Sequence, residues 1–276
     1  MHKELEDLIA IIKKNLGMDI SVYDQTFLIR MLDKRKAEVG IDQTADFSIM
    51  LKNNLAENEA FLQSLSIHYT EFFREPLTYA FLEKVVLPGI SRAKQGQELR
   101  IWSAGCSYGQ EPYSLAMLLD NLCYANKKEI GYRIFATDLS EKALIIASSG
   151  KYHQDSVQNL KLNQLNRFFI KQENSYTIIP NLRKHIDFSF YDLLDRATCN
   201  PPESIYGDFD IVMCSNLLFY YNQECQKIII NKLLKTLAPG GLLITGEVEK
   251  ACVENYINRK AMNINVPIFS RDKGYC

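Results

Sequence analysis

The sequence predicts an α/β fold, in which an N-terminal helical region precedes a mostly parallel sheet. Two observations support this prediction. Up to about residue 90 the apolar residues recur at helical spacing, whereas from about residue 97 short apolar strands alternate with helices. Such alternation favours parallel strands that are joined by right-handed crossovers. We therefore expect a helical domain with its linker over residues 1–90 and a sheet domain over residues 91–276.

Four helices are predicted in the N-terminal region. The first ends at Gly17, and the second covers residues 24–39 and ends at Gly40, because glycine readily adopts the left-handed conformation that closes a helix. The third covers residues 46–55, and the fourth starts near Glu57. In the second helix, the residues expected to face inward are Phe27, Leu28, Met31 and Leu32.

The second of these helices concentrates positive charge in a region that is otherwise mildly acidic. The basic side chains are those of Arg30, Lys34, Arg35 and Lys36. Charge runs on helices are most often solvated faces. The alternative is a docking surface for an acidic partner. The sequence leaves both interpretations open.

Residues 99–114 form the most informative segment of the chain. A short apolar strand runs into a turn with Gly105 and Gly109, and a helix follows that begins with Glu111 and Pro112. Strand, glycine turn and helix start form the ligand cradle of open α/β sheets. A carboxylate in the first helical turn disfavours a phosphate but favours a positively charged amine. Glu111 therefore predicts a ligand with an ammonium group.

The rest of the sheet domain follows the same alternation. Strands are predicted at residues 132–137, 186–190, 209–214 and 242–245, and helices at residues 141–149 and 223–237. Ser140 caps the first of these helices. About 35 residues lie between residue 149 and the strand at residue 186, which is too long for a plain connection. We expect a β-hairpin insertion at about residues 160–185.

Polar side chains follow the predicted strands where ligands of such sheets bind. Asp138 could accept hydrogen bonds from ribose hydroxyls and Asp192 from the amine of adenine, and Ser215 and Asn216 follow a third strand. Asp138 also lies close enough to Ser140 to serve only as a structural cap. Together these residues favour an adenosine-containing ligand, and the absence of the G-x-G-x-x-G spacing argues against a dinucleotide. S-adenosylmethionine fits, because it has no phosphate.

Five sequence blocks resemble the chemoreceptor glutamate methyltransferases, the CheR family. The blocks are TEFFREP from Thr70, WSAGCSYGQEPYS from Trp102, ATD from Ala136, CSNLLFYY from Cys214 and LAPGG from Leu237. The resemblance extends over nearly the whole chain. It implies an N-terminal helical domain and a Rossmann-like class I methyltransferase sheet of seven strands with a small inserted β-subdomain. The predicted hairpin lies where that insertion belongs.

The resemblance also implies a cofactor pocket for S-adenosylmethionine, with S-adenosylhomocysteine as the product. The matching positions are His68, Thr70, Arg74, Gly105, Glu111, Asp138, Asp192, Leu193, Ser215 and Asn216. Arg74 and Tyr220 would position the substrate, no residue would act by proton transfer, and no metal is implied.

The chain departs from the family pattern at several of these positions. The family usually has Asn at the positions of His68 and Asp192, and both replacements keep hydrogen-bonding ability. It usually has Arg at the position of Ser215, so this chain lacks a cation beside the pocket. The turn has Tyr108 and Gln110 where the family favours Thr and Glu. The Ser215 departure bears on substrate positioning more than on cofactor binding.

The implied activity is methyl transfer to glutamate side chains on the cytoplasmic helical bundle of a chemoreceptor, whose C-terminal tail could bind the β-insertion. Two other function classes stay open at this point. One is a signalling module that binds S-adenosylmethionine or S-adenosylhomocysteine without transferring methyl groups. The other is a small-molecule methyltransferase. His68 and Ser215 favour the signalling module.

Composition limits the remaining possibilities. A formal net charge of −1 gives no reason to expect nucleic-acid binding, and no apolar run approaches the ~20 residues that span a bilayer. The seven cysteines form no C-x-x-C pair, which favours reduced thiols in the cytoplasm. The four histidines show no metal-ligand spacing. We expect a cytoplasmic monomer without a metal or a membrane segment.

Overall fold

The computed structural model describes residues 2–67, 69–94, 96–127 and 130–271. The chain forms two compact units, Met1–Ile67 with Phe219–Lys227, and His68–Leu218 with Ile228–Cys276. The sequence placed the boundary near residue 90, but the segment that follows residue 75 packs into the core of the sheet unit. Tyr79 and Leu82 are buried there with Leu99. Within the described ranges, no helix has both the length and the apolar composition of a membrane span.

The first unit contains the four predicted helices. They are α1 (His2–Leu16), α2 (Gln25–Val39), α3 (Thr44–Asn53) and α4 (Leu55–Leu65). Gly17 and Gly40 follow α1 and α2 with φ of 70° and 73°, so both predicted stops are confirmed. Asp24 caps α2 by accepting hydrogen bonds from the backbone N–H groups of Thr26 and Phe27.

A segment from far along the chain completes the first unit. Tyr220 packs against the unit's buried core, and the backbone N–H of Asp24 donates to its carbonyl oxygen at 2.8 Å. Tyr23 and Tyr221 form an antiparallel bridge, and their rings stack 5.5 Å apart. The helical unit is therefore discontinuous in sequence.

The first helices of the second unit form a continuous run: α5 (Pro76–Phe81), a π-helical segment (Leu82–Val86) and α6 (Leu87–Lys94). Its strands are β1 (Leu99–Ala104), β2 (Tyr132–Asp138), β3 (Lys151–His153), β4 (Phe169–Gln172), β5 (Ser175–Ile178), β6 (Ile186–Phe190), β7 (Phe209–Cys214), β8 (Leu237–Thr245) and β9 (Ile268–Ser270). Its other helices are α7 (Gln110–Asn126), α8 (Glu141–Ser149), α9 (Leu162–Phe168), α10 (Pro180–Arg183), α11 (Gln223–Thr236, which begins in the first unit) and α12 (Lys250–Ile257).

The main sheet has the strand order β6-β2-β1-β7-β8-β9. All neighbours are parallel except β9, which runs antiparallel to β8, so the predicted, mostly parallel α/β sheet is confirmed. The described residues form six strands, whereas the resemblance implied seven. Between α12 and β9 the chain is polar, contains Pro267 and has an isolated β-bridge between Asn263 and Val266. This composition explains why no strand forms there.

The predicted insertion is a small antiparallel sheet with the order β3-β5-β4. The hairpin of β4 and β5 lies within the predicted residues 160–185, but the sheet starts earlier, at Lys151. β3 has only three residues, and two of them are exposed. A pattern this short gives no periodic signal, so the sequence could not predict it.

Candidate functional site

The loops after β6, β2, β1 and β7 carry the predicted site residues. These four strands are neighbours in the sheet and parallel, so their carboxyl ends share one edge. The structure therefore places Gly105, Asp138, Asp192 and Asn216 along that edge. The sequence predicted this arrangement from strand ends alone.

The turn after β1 is fixed by left-handed backbone conformations and by β2. Gly105, Ser107 and Gly109 have φ of 81°, 48° and 89°. The N–H groups of Gly105 and Cys106 both donate to the carbonyl oxygen of Thr137, at 2.8 and 2.9 Å. A Cβ atom on Gly105 would lie 2.5 Å from the Leu217 side chain. Both the conformation and the available space therefore require glycine at position 105.

Asp138 at the end of β2 holds two loops. Its carboxylate accepts the N–H of Ser107 at 2.8 Å and the N–H of Ser140 at 2.9 Å. Ser140 caps α8 by accepting from the N–H of Ala143, as predicted. Asp138 thus has a structural role, although the cap of α8 is Ser140 itself. A carboxylate has about four acceptor positions, so the role of hydroxyl acceptor stays available as well.

Glu111 is a carboxyl group in strongly acidic surroundings. Burial raises its pKa to about 8, the hydroxyls of Ser103 and Ser215 oppose this shift, and the charges of Glu75 and Glu249 add to it. The Ser103 hydroxyl donates to Glu111 Oε1 at 2.7 Å. Burial and the charges of Glu75 and Glu249 therefore favour a positively charged ligand beside Glu111. This arrangement agrees with the predicted ammonium ligand.

Two of those acids, Glu75 and Glu249, were not predicted. Glu75 Oε1 accepts from the side-chain amide of Asn216 at 3.1 Å and from the N–H of Glu247 at 2.9 Å. Burial raises the pKa of Glu75, and these two hydrogen bonds oppose the shift. Glu75 follows Arg74 in the TEFFREP block, which was a signal for it. Glu249 lies in no recognised block, so nothing in the sequence indicated it.

The loop after β6 contains Asp192 and Leu193. Asp192 accepts the N–H of Leu194 at 2.8 Å, and the Leu193 side chain is buried. The preceding Tyr191 donates its N–H to the carbonyl oxygen of Asp138 at 3.1 Å. This hydrogen bond ties the loop to the end of β2. The predicted adenine-side and ribose-side residues therefore lie next to each other.

The segment before α5 contains the remaining predicted residues. The Arg74 guanidinium donates to the carbonyl oxygen of Tyr69 at 3.0 Å and lies 5.2 Å from the centre of the Tyr69 ring. Thr70 lies between them in sequence and is half-buried. His68 lies outside the described residues.

Aromatic packing joins this segment to the inserted sheet. Phe72 is 1% exposed, and its ring makes edge contacts with Tyr152 and Phe169 at centroid distances of 5.0 and 5.6 Å. Phe73 packs edge-on against Tyr79 at 5.2 Å. The backbone around Arg74 is therefore held by the core of the second unit.

Tyr220 lies in the helical unit, where its ring packs 5.0 Å from Phe27 and 4.3 Å from Phe219. Its suggested substrate role stays a prediction. Burial raises the pKa of the Cys106 and Cys214 thiols well above the usual range, which disfavours nucleophilic thiolates. Among the described residues, no group of His, Cys, Asp and Glu side chains could hold a metal ion.

The chain is similar to one protein family, to several curated relatives and to solved structures. Residues 68–266 match the family described as "CheR methyltransferase, SAM binding domain". The "Chemotaxis protein methyltransferase" of Listeria monocytogenes is 30% identical over 253 residues, which are 91% of each chain. "Chemotaxis protein methyltransferase 1" of Pseudomonas aeruginosa is 31% identical over 243 residues, or 86% of each chain. A solved structure, N-methyltransferase NodS from Bradyrhizobium japonicum with S-adenosyl-L-homocysteine, is 17% identical, covers 70% of this chain and 76% of its own, and has a TM-score of 0.36.

Proposed function

The chain belongs to the CheR methyltransferase family, and we propose that it transfers a methyl group from S-adenosylmethionine to glutamate side chains of chemoreceptors. The acceptors would lie on the cytoplasmic helical bundle, and the products would be glutamate methyl esters and S-adenosylhomocysteine. Relatives named chemotaxis protein methyltransferases, which match 86–91% of the chain, support this proposal.

The observation that carries the proposal is the acidic surrounding of Glu111. Burial raises the pKa of its carboxyl group to about 8, and the charges of Glu75 and Glu249 add to this shift. A ligand that carries an ammonium and a sulfonium would favour the ionised form of this carboxyl group, whereas the negative charge of pyrophosphate would oppose its ionisation. The residues present therefore fit S-adenosylmethionine.

Each of the strand-end residues would bind a different part of the cofactor. Glu111 would accept hydrogen bonds from its ammonium group, Asp138 from its ribose hydroxyls and Asp192 from the adenine amine. Arg74 would hold its carboxylate, because a guanidinium matches a carboxylate with two parallel hydrogen bonds. Leu193 is buried beside Asp192 and would supply an apolar surface for the adenine.

Methyl transfer to a glutamate requires little of the chain beyond positioning. When bound, S-adenosylmethionine supplies a methyl group on a positively charged sulfur. The glutamate acceptor has a reference pKa of ~4.3, so it is already an anion near neutrality and needs no general base. Alignment of two reactants can lower a barrier by roughly 7–11 kcal/mol. The residues of this chain would therefore hold the reactants in line and exclude water.

Part of the basic face of α2 is available to an acidic receptor. Arg30 and Lys34 are exposed. Arg35 instead forms two hydrogen bonds with the buried Glu57, at 2.6 and 2.8 Å, and Lys36 pairs with Asp33 at 3.1 Å. The predicted docking surface is therefore narrower than the sequence suggested, and only its exposed pair supports recognition of an acidic helical bundle.

A transfer assay with a purified chemoreceptor cytoplasmic fragment tests the proposal. We expect tritiated methyl groups to enter the fragment, to be released by mild base as volatile methanol, and to be lost when the acceptor glutamates are replaced by glutamine. Calorimetric binding of S-adenosylhomocysteine without any methyl incorporation would instead identify a signalling module. Methylation of small carboxylic acids but not of the fragment would identify a small-molecule enzyme.

A further inference from the structure

One buried carboxylate holds the loop that follows β7. Glu249, 2% exposed, lies between β8 and α12 and accepts four backbone N–H groups. Its Oε2 atom accepts from Gly246 at 2.7 Å and from Asn216 at 3.0 Å. Its Oε1 atom accepts from Leu217 at 2.7 Å and from Leu218 at 2.6 Å. Each carboxylate oxygen therefore serves two donors.

This arrangement tolerates little chemical change. A carboxylate offers acceptors only, whereas a glutamine side chain has one acceptor oxygen and an NH₂ donor. In either orientation of a glutamine at position 249, two backbone N–H groups would face that NH₂ group. Buried donors that lose their acceptor are strongly unfavourable. The loop would therefore have to move.

The packing around Gly246 is an independent sign of close fit. A Cβ atom at this position would lie 2.6 Å from the Asn216 side-chain nitrogen and 2.9 Å from Glu249 Oε2. The φ of Gly246 is −73°, a value that any residue can adopt. Space, and not backbone conformation, therefore requires glycine here.

The loop that follows β7 packs directly against the glycine turn after β1. The Leu217 side chain covers Gly105 so closely that a Cβ there would lie 2.5 Å from Leu217 Cδ1. Asn216, held in the left-handed conformation at φ 58°, directs its side-chain amide to Glu75. Displacement of the loop would therefore disturb both Gly105 and Asn216.

We propose that Glu249 is a positioning residue for cofactor binding, acting through the loop of residues 215–218. The inference rests on the proposed function and on the cofactor pocket that the family resemblance implies, which includes Gly105, Ser215 and Asn216. Glu249 itself is fully engaged by backbone N–H groups and needs no contact with the cofactor. Its role is to fix the position of the loop that covers the glycine turn.

The test compares Glu249→Gln with Glu247→Gln in the full-length chain. Each variant removes one negative charge, and the two positions are two residues apart in sequence. The Glu247 side chain is exposed, whereas the Glu249 side chain is buried. We expect Glu249→Gln to weaken S-adenosylhomocysteine binding in calorimetry by about tenfold or more, because the loss of buried hydrogen bonds has an effect of this size. We expect Glu247→Gln to change the affinity by no more than about twofold, because an exposed charge contributes little. The assay contains no methyl acceptor, so failure of the glutamate-substrate proposal would not affect it.

Three further measurements separate positioning from general destabilisation. Val253→Ala truncates a fully buried side chain of α12 and lowers stability but removes none of the four hydrogen bonds to Glu249, so we expect it to keep near-normal affinity. Hydrogen exchange should accelerate at Asn216, Leu217 and Leu218 in Glu249→Gln but not in Val253→Ala. Gly246→Ala leaves the charge unchanged and should also weaken binding. Wild-type affinity in a folded Glu249→Gln or Gly246→Ala variant would overturn the proposal.

Discussion

At the scale of single residues, Glu111 couples cofactor binding to a proton. Its pKa of about 8 leaves the free carboxyl group mostly protonated at neutral pH. An ammonium ligand favours the ionised form. We therefore expect binding of S-adenosylhomocysteine to release a proton and to strengthen as the pH rises toward about 8. Calorimetry in buffers of different ionisation enthalpy measures the release, and Glu111→Gln should abolish it. Proton uptake, or no exchange at all, would contradict the assignment.

The same group makes the cofactor-free protein less stable at higher pH. Because the folded pKa is raised from 4.5 to about 8, the folded state holds the proton more tightly than the unfolded state. Its stabilising contribution is complete below the unfolded value and is lost as the pH rises through the folded one. We expect Glu111→Gln to have a larger free energy of unfolding than the wild type near pH 8, by roughly 4 kcal/mol, despite weaker cofactor binding. Identical stability profiles of the two proteins across this pH range would contradict this.

Gly240 is a matched control for substitution of Gly105 in the turn after β1. Both have a positive φ, 81° and 79°, but a Cβ would meet Leu217 at 2.5 Å on Gly105 and nothing within 4 Å on Gly240. We expect both alanine variants to lose about 1 kcal/mol to backbone strain. Gly105→Ala should lose about 1–3 kcal/mol more and bind S-adenosylhomocysteine more weakly. Equal denaturation midpoints and equal affinities in the two variants would argue against the tight packing.

At the scale of single elements, α2 carries two kinds of basic residue: those paired within the fold and those exposed to solvent. Arg35 pairs with Glu57, which is 6% exposed, so Arg35→Ala would leave a carboxylate uncompensated in the interior. We expect this variant to lower the free energy of unfolding by about 3 kcal/mol. Chemical denaturation measures this loss.

A double variant, Arg30→Glu with Lys34→Glu, tests the exposed part of α2. Both side chains are exposed, so we expect little change in stability. Methylation of a receptor fragment should slow, most strongly at low salt, because exposed charges act over about 10 Å at 0.1 M ionic strength. Unchanged methylation together with unchanged cofactor affinity would exclude α2 as the receptor-docking element.

Most element positions could be predicted because local patterns are strong. The strands at residues 186–190 and 209–214 and the helix at residues 141–149 match β6, β7 and α8. The misses were elements that local pattern does not specify. β3 has three residues, and the polar, proline-containing stretch before β9 replaced the seventh strand that the resemblance implied.

At the scale of the whole molecule, the helical unit depends on a distant segment. Residues 219–227 belong to it, and the N–H of Asn222 donates to the carbonyl oxygen of Val22 at 2.9 Å. We expect an isolated fragment of residues 1–67 to be less stable than the same region in the full chain, because Tyr23 and Phe27 lose their ring contacts with residues 221 and 220. Circular dichroism melts and amide exchange measure the difference. Equal protection of α2 in fragment and full chain would contradict this.

The sequence by itself determined the α/β class, the order of the elements and the strand-end positions of Gly105, Glu111, Asp138 and Asp192. Hydrophobic period, helix caps and glycine turns are local properties, and the carboxyl ends of parallel strands must share one edge. The tertiary structure decided which carboxylates meet. Glu75 and Glu249 approach Asn216 from 141 and 33 residues away in sequence. Such contacts depend on how distant segments pack together, and no local pattern encodes that packing.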